Sequence, residues 1–204
     1  MKIKIIFIIL LLQNCYGTKK EVAPILLLIQ QPPLKLNIIG DSLTLYSKGF
    51  GLSEKLGSKY EVNHYSYYGR ELLEWVIDID KALINNPDAI LVVLGGNDSI
   101  NRAPINWKSD YESLLSTLKL KGQYRILLST IPIPIKQNSQ EPIQVMNGII
   151  RNLPEKISDV EPIITEKSKL IPAFSPTDEL HPNPWVYEEM GIQYAKDFLS
   201  LNYL

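Results

Sequence analysis

Three apolar-rich runs in this chain each stop abruptly at turn residues. Leu34–Ile39 runs into Gly40, Ala89–Leu94 into Gly95-Gly96, and Arg125–Ile131 into Pro132. Runs of this length and character suit strands buried on both faces, because a strand with one wet face would alternate apolar and polar residues. Tyr60–Tyr67 alternates in that second way and predicts a weaker strand, and Pro162–Thr165 predicts a short fifth. Helical spacing fills the gaps. Arg70–Leu83 places Leu72, Leu73, Val76, Ile77, Ile79 and Leu83 near one face, and Tyr111–Leu120 does the same with Leu114, Leu115 and Leu118. Ile143–Ile157 predicts a third helix, interrupted by Gly148 and Pro154. The last spans Pro184–Leu201, with Asn183 as its expected N-cap and Pro184 at the first helical position. Strands alternating with helices imply a parallel sheet covered by helices on both faces, with ligands expected at the carboxyl ends of the strands.

Composition narrows the chemistry. The 204 residues suffice for one domain with a full core, and a net charge of −1 gives no electrostatic footprint for nucleic acid. One cysteine, Cys15, allows no intrachain disulfide, and with two histidines, His64 and His181, it leaves few ligands for a metal. No cofactor or metal is expected.

The amino-terminal stretch reads as a targeting segment. Lys2 and Lys4 precede the apolar Ile5–Leu12, whose eight residues fall short of the roughly 20 that span a bilayer. Leu12-Gln13-Asn14-Cys15 then resembles a bacterial lipoprotein signal, although Gln13 and Asn14 stand where small residues are usual. The expected organisation is a signal peptide over 1–14, a lipidated Cys15 with a tether over 15–33, and one folded domain over 34–204. A plain signal peptide with an incidental cysteine is the alternative. Residues Ile25–Ile29 are unusually apolar for a solvated tether.

Four polar positions lie just beyond strand ends or before the last helix. Ser42, in Gly40-Asp41-Ser42-Leu43, is a candidate nucleophile or a simple turn serine. His181, in Asp178-Glu179-Leu180-His181-Pro182, can take a proton near neutrality, and Asp178 in the same loop can orient it. Asn97, in Gly95-Gly96-Asn97-Asp98, can donate to a developing oxyanion, and the Gly69 N–H in Tyr67-Tyr68-Gly69-Arg70 can add to it. Each alone is compatible with an ordinary turn. Asp41 and Asp98 are expected to brace loops. Trp75, Trp107 and Trp185 are expected to fill the core or cover the sheet, and His64 to be a packed or surface residue.

In this order, the four blocks resemble the SGNH/GDSL hydrolases across residues 40–183. The resemblance implies a flavodoxin-like three-layer α/β/α sandwich with a parallel sheet of about five strands. It implies Ser42 as nucleophile, His181 as base and Asp178 as its orienting acid. Ser42 N–H, Gly69 N–H and the Asn97 side chain become the oxyanion hole. The second block lacks the family's richer Asn/Gly pattern, and Glu179 replaces a frequent glycine. The implied activity is hydrolysis of carboxylic or thioesters, on a small-molecule, glycan or lipid acyl ester, by an exported protein held at a membrane through Cys15. Acyl transfer to a glycan by the same residues, a catalytically silent surface binding module, and a metallophosphoesterase built on Asp41, Asn97 and His181 are the rival readings.

Overall fold

The computed structural model describes residues 32–167 and 172–201. The expected signal segment, Cys15 and Ile25–Ile29 lie outside the described residues. The strands are β1 (Leu34–Gly40), β2 (Tyr60–Ser66), β3 (Ala89–Val93), β4 (Arg125–Ser129) and β5 (Lys156–Ser158). The helices are α1 (Ser42–Tyr46), α2 (Leu52–Leu56), α3 (Leu72–Leu83), α4 (Gly96–Asn101), α5 (Trp107–Lys121), α6 (Gln137–Arg151), α7 (Glu161–Lys167) and α8 (Pro184–Ser200).

All strand pairs are parallel, in the order β2-β1-β3-β4-β5. The chain leaves β1 toward β2 and then crosses back to β3 on the other side. Because crossovers of parallel strands are right-handed, this reversal sends the connecting helices to opposite faces. The contacts agree: α3, α5 and α6 pack in succession, whereas α2 and α7 each pack against α8. The result is an α/β/α sandwich with its core between sheet and helices. Every residue of β3 is buried, and so are Leu36, Ile38 and Ile39 of β1. That burial explains the unbroken apolar runs.

The register places the site. Gly40, the last residue of β1, pairs with Ser66 of β2 on one side and Val93 of β3 on the other. Three strands therefore end level, and the loops carrying Ser42, Gly69 and Asn97 emerge from one rim. The topological reversal falls between β1 and β3, where open α/β sheets form a crevice.

Some expectations need correction. The fifth strand is Lys156–Ser158, and Pro162–Thr165 belongs to α7. With one apolar residue in three, β5 carries no strand pattern, and Pro162 is tolerated because the first helical turn needs no N–H donor there. The third helix starts six residues earlier than its periodicity implied, runs through Pro142 and Gly148, and ends at Arg151, short of Pro154. Ile77, counted on the apolar face of α3, is 83% exposed, because Trp75 occupies the buried face with Leu72, Ile79 and Ala82. Asn183 precedes α8 but makes no side-chain cap; its Nδ2 donates to Pro172 O instead.

One contact tests the packing of α8. A Cβ on Gly191 would lie 2.1 Å from the Phe50 carbonyl oxygen, a backbone atom that cannot swing away. Gly191→Ala should destabilise the fold by about 1–3 kcal/mol through overpacking. A urea midpoint unchanged from the parent would show that the α8 interface yields freely.

Candidate functional site

Asp41 begins the site. It caps α1, its Oδ1 accepting from Leu43 N–H at 2.9 Å. Ser42 is thus the first helical residue, and its own N–H has no partner within the helix. The Asp41 carboxylate also reaches the loop after β3, where its Oδ2 accepts from Asn97 Nδ2 at 3.1 Å. The other Asn97 amide hydrogen goes to Arg70 O at 3.2 Å. Asn97 is therefore aligned between the loop after β1 and the loop after β2.

Gly69 lies in that second loop with φ +69°, a conformation that favours glycine. Arg70 pins the loop. Its guanidinium pairs with Asp78, donates to Glu74 O at 3.0 Å, and stacks over the rings of Tyr67 and Trp75. Asp98 accepts from Leu72 N–H at 3.1 Å, tying α4 to the start of α3. Asp41 and Asp98 thus brace loops, as expected.

The histidine arrives from far along the chain. Residues 173–183 double back: Phe174 and Pro182 form an antiparallel bridge, and Asn183 N–H donates to Ala173 O at 2.8 Å. Asn183 Nδ2 and Trp185 Nε1 both donate to Pro172 O at 2.8 Å, closing the base of the loop. At its tip, Asp178 Oδ1 accepts from His181 N–H at 3.3 Å, and Asp178 Oδ2 lies 2.7 Å from His181 Nδ1. His181 Nε2 lies 2.9 Å from Ser42 Oγ, across 139 residues of sequence. An ionised carboxylate only accepts, so Nδ1 holds the ring proton and Nε2 is left to accept from the serine hydroxyl. Burial pushes the Asp178 carboxyl up, but the electrostatic attraction of His181 and the hydrogen bonds from its ring and from the His181 and Leu180 backbone N–H groups outweigh this and hold it below the usual carboxylate range.

Glu179 has φ +57°. That is the left-handed region, which favours the glycine that the family resemblance leads one to expect here. Its side chain is exposed, and its carbonyl accepts from Lys136 N–H at 3.2 Å. His64 is exposed on β2, Trp75 and Trp107 are buried in the core, and Trp185 packs partly against it. Among the described residues, no three of His, Cys, Asp or Glu gather as a metal site.

Sequence reasoning did not foresee the Arg70 carbonyl as a partner of Asn97, nor the aromatic flank of His181. Tyr46 packs edge-on against the imidazole, with ring centres 4.8 Å apart, and Tyr68 lies 6.3 Å away. The Ser42–Tyr46 spacing of four residues on a helix is the signal that places Tyr46 on the serine's side.

Two buried carboxyls give the site a pH signature. Burial pushes Asp41 up to about 7, against the Leu43 N–H and helped by Asp98's charge. Burial likewise pushes Asp98 up to about 6, against the Leu72 N–H. Both bind a proton more tightly when folded than unfolded, where carboxyls titrate near ~4. Their contribution to stability is full below about pH 4 and is lost as pH rises through about 6–7. Tenfold tighter proton binding is worth about 1.4 kcal/mol. Denaturation midpoints should therefore fall across this window, and Asp41→Asn should flatten the fall. An equally steep fall in that variant would assign the titration to another group.

No family model matches the chain. No curated protein matches it either. Solved structures do. The chain is similar to a lipase/acylhydrolase from Enterococcus faecalis, with TM-score 0.67 and 17% identity over 82% of this chain and 96% of that one. It is similar to an acetyl xylan esterase, with TM-score 0.67 and 20% identity over 83% of this chain and 100% of that one. A lipolytic protein of the G-D-S-L family from Veillonella parvula gives TM-score 0.67 and 16% identity over 81% of this chain and 98% of that one. The fold is that of the GDSL/SGNH lipolytic hydrolases, a three-layer sandwich around an all-parallel sheet.

Proposed function

We propose that this chain, which has the fold of the GDSL/SGNH hydrolases, is a serine esterase working through an acyl-enzyme. The observation that carries this reading is the pair of contacts at His181: Nε2 to Ser42 Oγ at 2.9 Å and Nδ1 to Asp178 Oδ2 at 2.7 Å. Ser42 Oγ attacks the ester carbonyl as its proton passes to His181 Nε2. Asp178 keeps the imidazole in the correct tautomer and stabilises the imidazolium. The tetrahedral oxygen takes hydrogen bonds from the Ser42 and Gly69 N–H groups and the Asn97 amide. The C–O bond to the alcohol breaks, and His181 returns the proton to the leaving oxygen. Water then attacks the acyl-serine, its proton going to His181; the bond between the acyl carbon and Ser42 Oγ breaks, His181 returns the proton to Oγ, and the free acid departs. The solved structures that share this fold include an acetyl xylan esterase and a lipase/acylhydrolase, which supports ester chemistry.

A fluorophosphonate probe tests the nucleophile directly. It should modify the folded protein once, with the added mass on the peptide containing Ser42. An unmodified Ser42 under conditions that label a control serine esterase would sink the reading.

Asn97→Ala measures the oxyanion hole. Removing one such donor costs about 10²–10³ in kcat. The loss should fall on kcat more than on KM, since the bond matters most in the transition state. A change confined to KM would make Asn97 a substrate-binding residue only.

The amino terminus adds a location to this activity. The lysines, the apolar stretch and Cys15 support export and attachment to a membrane by a lipid on that cysteine.

A further inference from the structure

Two cavities meet at His181, and they differ greatly in size. The smaller, about 30 Å³, lies beside Ser42 and Asn97 and is walled by Ile100, Ile131, Pro132, Ile143 and Leu180. The larger, about 500 Å³, lies on the Tyr46 side and is lined by Tyr46, Ser47, Phe50, Tyr187 and Glu188 as well as His181. Resting on the esterase reading above, we propose that the substrate is a short-chain acyl ester of a saccharide. The acyl group sits in the small cavity and the sugar in the large one.

The proton path decides which half goes where. His181 Nε2 delivers the proton to the leaving oxygen, so the alcohol must depart past the imidazole. The larger cavity borders His181 without reaching Ser42 or Asn97. It is therefore the alcohol's side. The smaller cavity includes the nucleophile and the oxyanion donor, which leaves it for the acyl chain.

Size then limits the acyl group. About 30 Å³ holds two or three waters at roughly 10–15 Å³ each. That is room for an acetyl or propionyl tail. The wall is firmly held: Ile131 N–H donates to Asn147 Oδ1 at 2.7 Å, Asn147 Nδ2 returns a bond to Ile131 O at 2.7 Å, and the same amide reaches Glu161 at 2.8 Å. An octanoyl chain would overfill the cavity and have to run out through its open side, past this fixed wall.

Chemistry then selects the alcohol. A cavity of several hundred cubic ångströms suits a ligand of one or two rings. Its lining mixes aromatic faces with hydroxyls and a carboxylate, where a lipid tail would need unbroken apolar walls. Sugar rings present C–H faces to aromatics and hydroxyls at their edges. The platform extends outward, since Tyr46 and Tyr68 are 51% and 69% exposed with ring centres 6.4 Å apart. Large exposed aromatics beside a catalytic histidine are what a ligand covers.

The experiment follows acid release by the full chain from ethyl acetate, ethyl octanoate and a disaccharide carrying a single O-acetyl group on a non-anomeric hydroxyl. The acetylated disaccharide should exceed ethyl acetate in kcat/KM by about tenfold or more, and ethyl octanoate should fall below ethyl acetate by a similar factor. Tyr46→Ala and Tyr68→Ala should each cut the disaccharide-to-ethyl-acetate ratio by about tenfold, the scale of one lost aromatic contact. A preference for octanoate, or a ratio unchanged in both variants, overturns the assignment while Ser42 still labels and ethyl acetate still turns over. No turnover of any ester, together with an unlabelled Ser42, overturns the esterase reading and this inference with it.

Discussion

Alanine at Ser42 should lower kcat for a short p-nitrophenyl ester on the order of 10⁶-fold, the scale at which loss of the nucleophile in a serine–histidine pair is felt. The substitution deletes one oxygen, whose only described partner is His181 Nε2. The α1 cap survives, because the Leu43 N–H bond belongs to Asp41. Folding should therefore be intact, and a thermal melt near the parent's would attribute the loss to chemistry. Water has no covalent route left, only a polarised carbonyl in the remaining oxyanion hole. Turnover within a hundredfold of the parent would mean that another group attacks the ester.

Asp178→Asn should be nearly as costly, up to about 10⁴ in kcat. Here too the geometry isolates the effect. The backbone N–H groups of Leu180 and His181 bond Asp178 Oδ1, which an asparagine oxygen can replace. What changes is the partner of His181 Nδ1. An amide NH₂ there would make Nδ1 the acceptor and move the ring proton to Nε2, where it would face Ser42 and block proton removal. The double variant Ser42→Ala/Asp178→Asn should be no slower than Ser42→Ala alone, since residues acting as one unit do not add. A further tenfold loss would give Asp178 a role independent of the serine.

Much of this architecture was legible in the sequence because burial on both sides leaves a mark. β1, β3 and β4 announce themselves as apolar runs, and the turn residues beyond them mark the rim where ligands sit. β5 does not, since three residues with one apolar side chain carry no period, and its neighbour Pro162–Thr165 looked more strand-like while lying in a helix. The motif residues were readable by type and order. Their meeting was not: nothing local tells that the 173–183 loop folds back to bring an imidazole against a hydroxyl 139 residues away. Partners that are backbone atoms also escape a sequence, which is why the Arg70 carbonyl was invisible. Nothing in the sequence set Tyr46 and Tyr68 apart; only the folded chain brings both rings beside the imidazole.

That carbonyl has a mechanistic corollary. At rest, both hydrogens of the Asn97 amide are spoken for, by Asp41 and by Arg70. A newcomer must outcompete a neutral peptide oxygen to gain one of them. An ester's own carbonyl is a weaker acceptor than an amide's and gains little by trying. A full negative charge wins, because hydrogen bonds to ions are roughly twice as strong as those between neutral groups. In the proposed mechanism the pre-existing occupant would act as a threshold, withholding the donor from the bound ester and surrendering it to the tetrahedral oxyanion. That is discrimination between ground state and transition state, built from one peptide group.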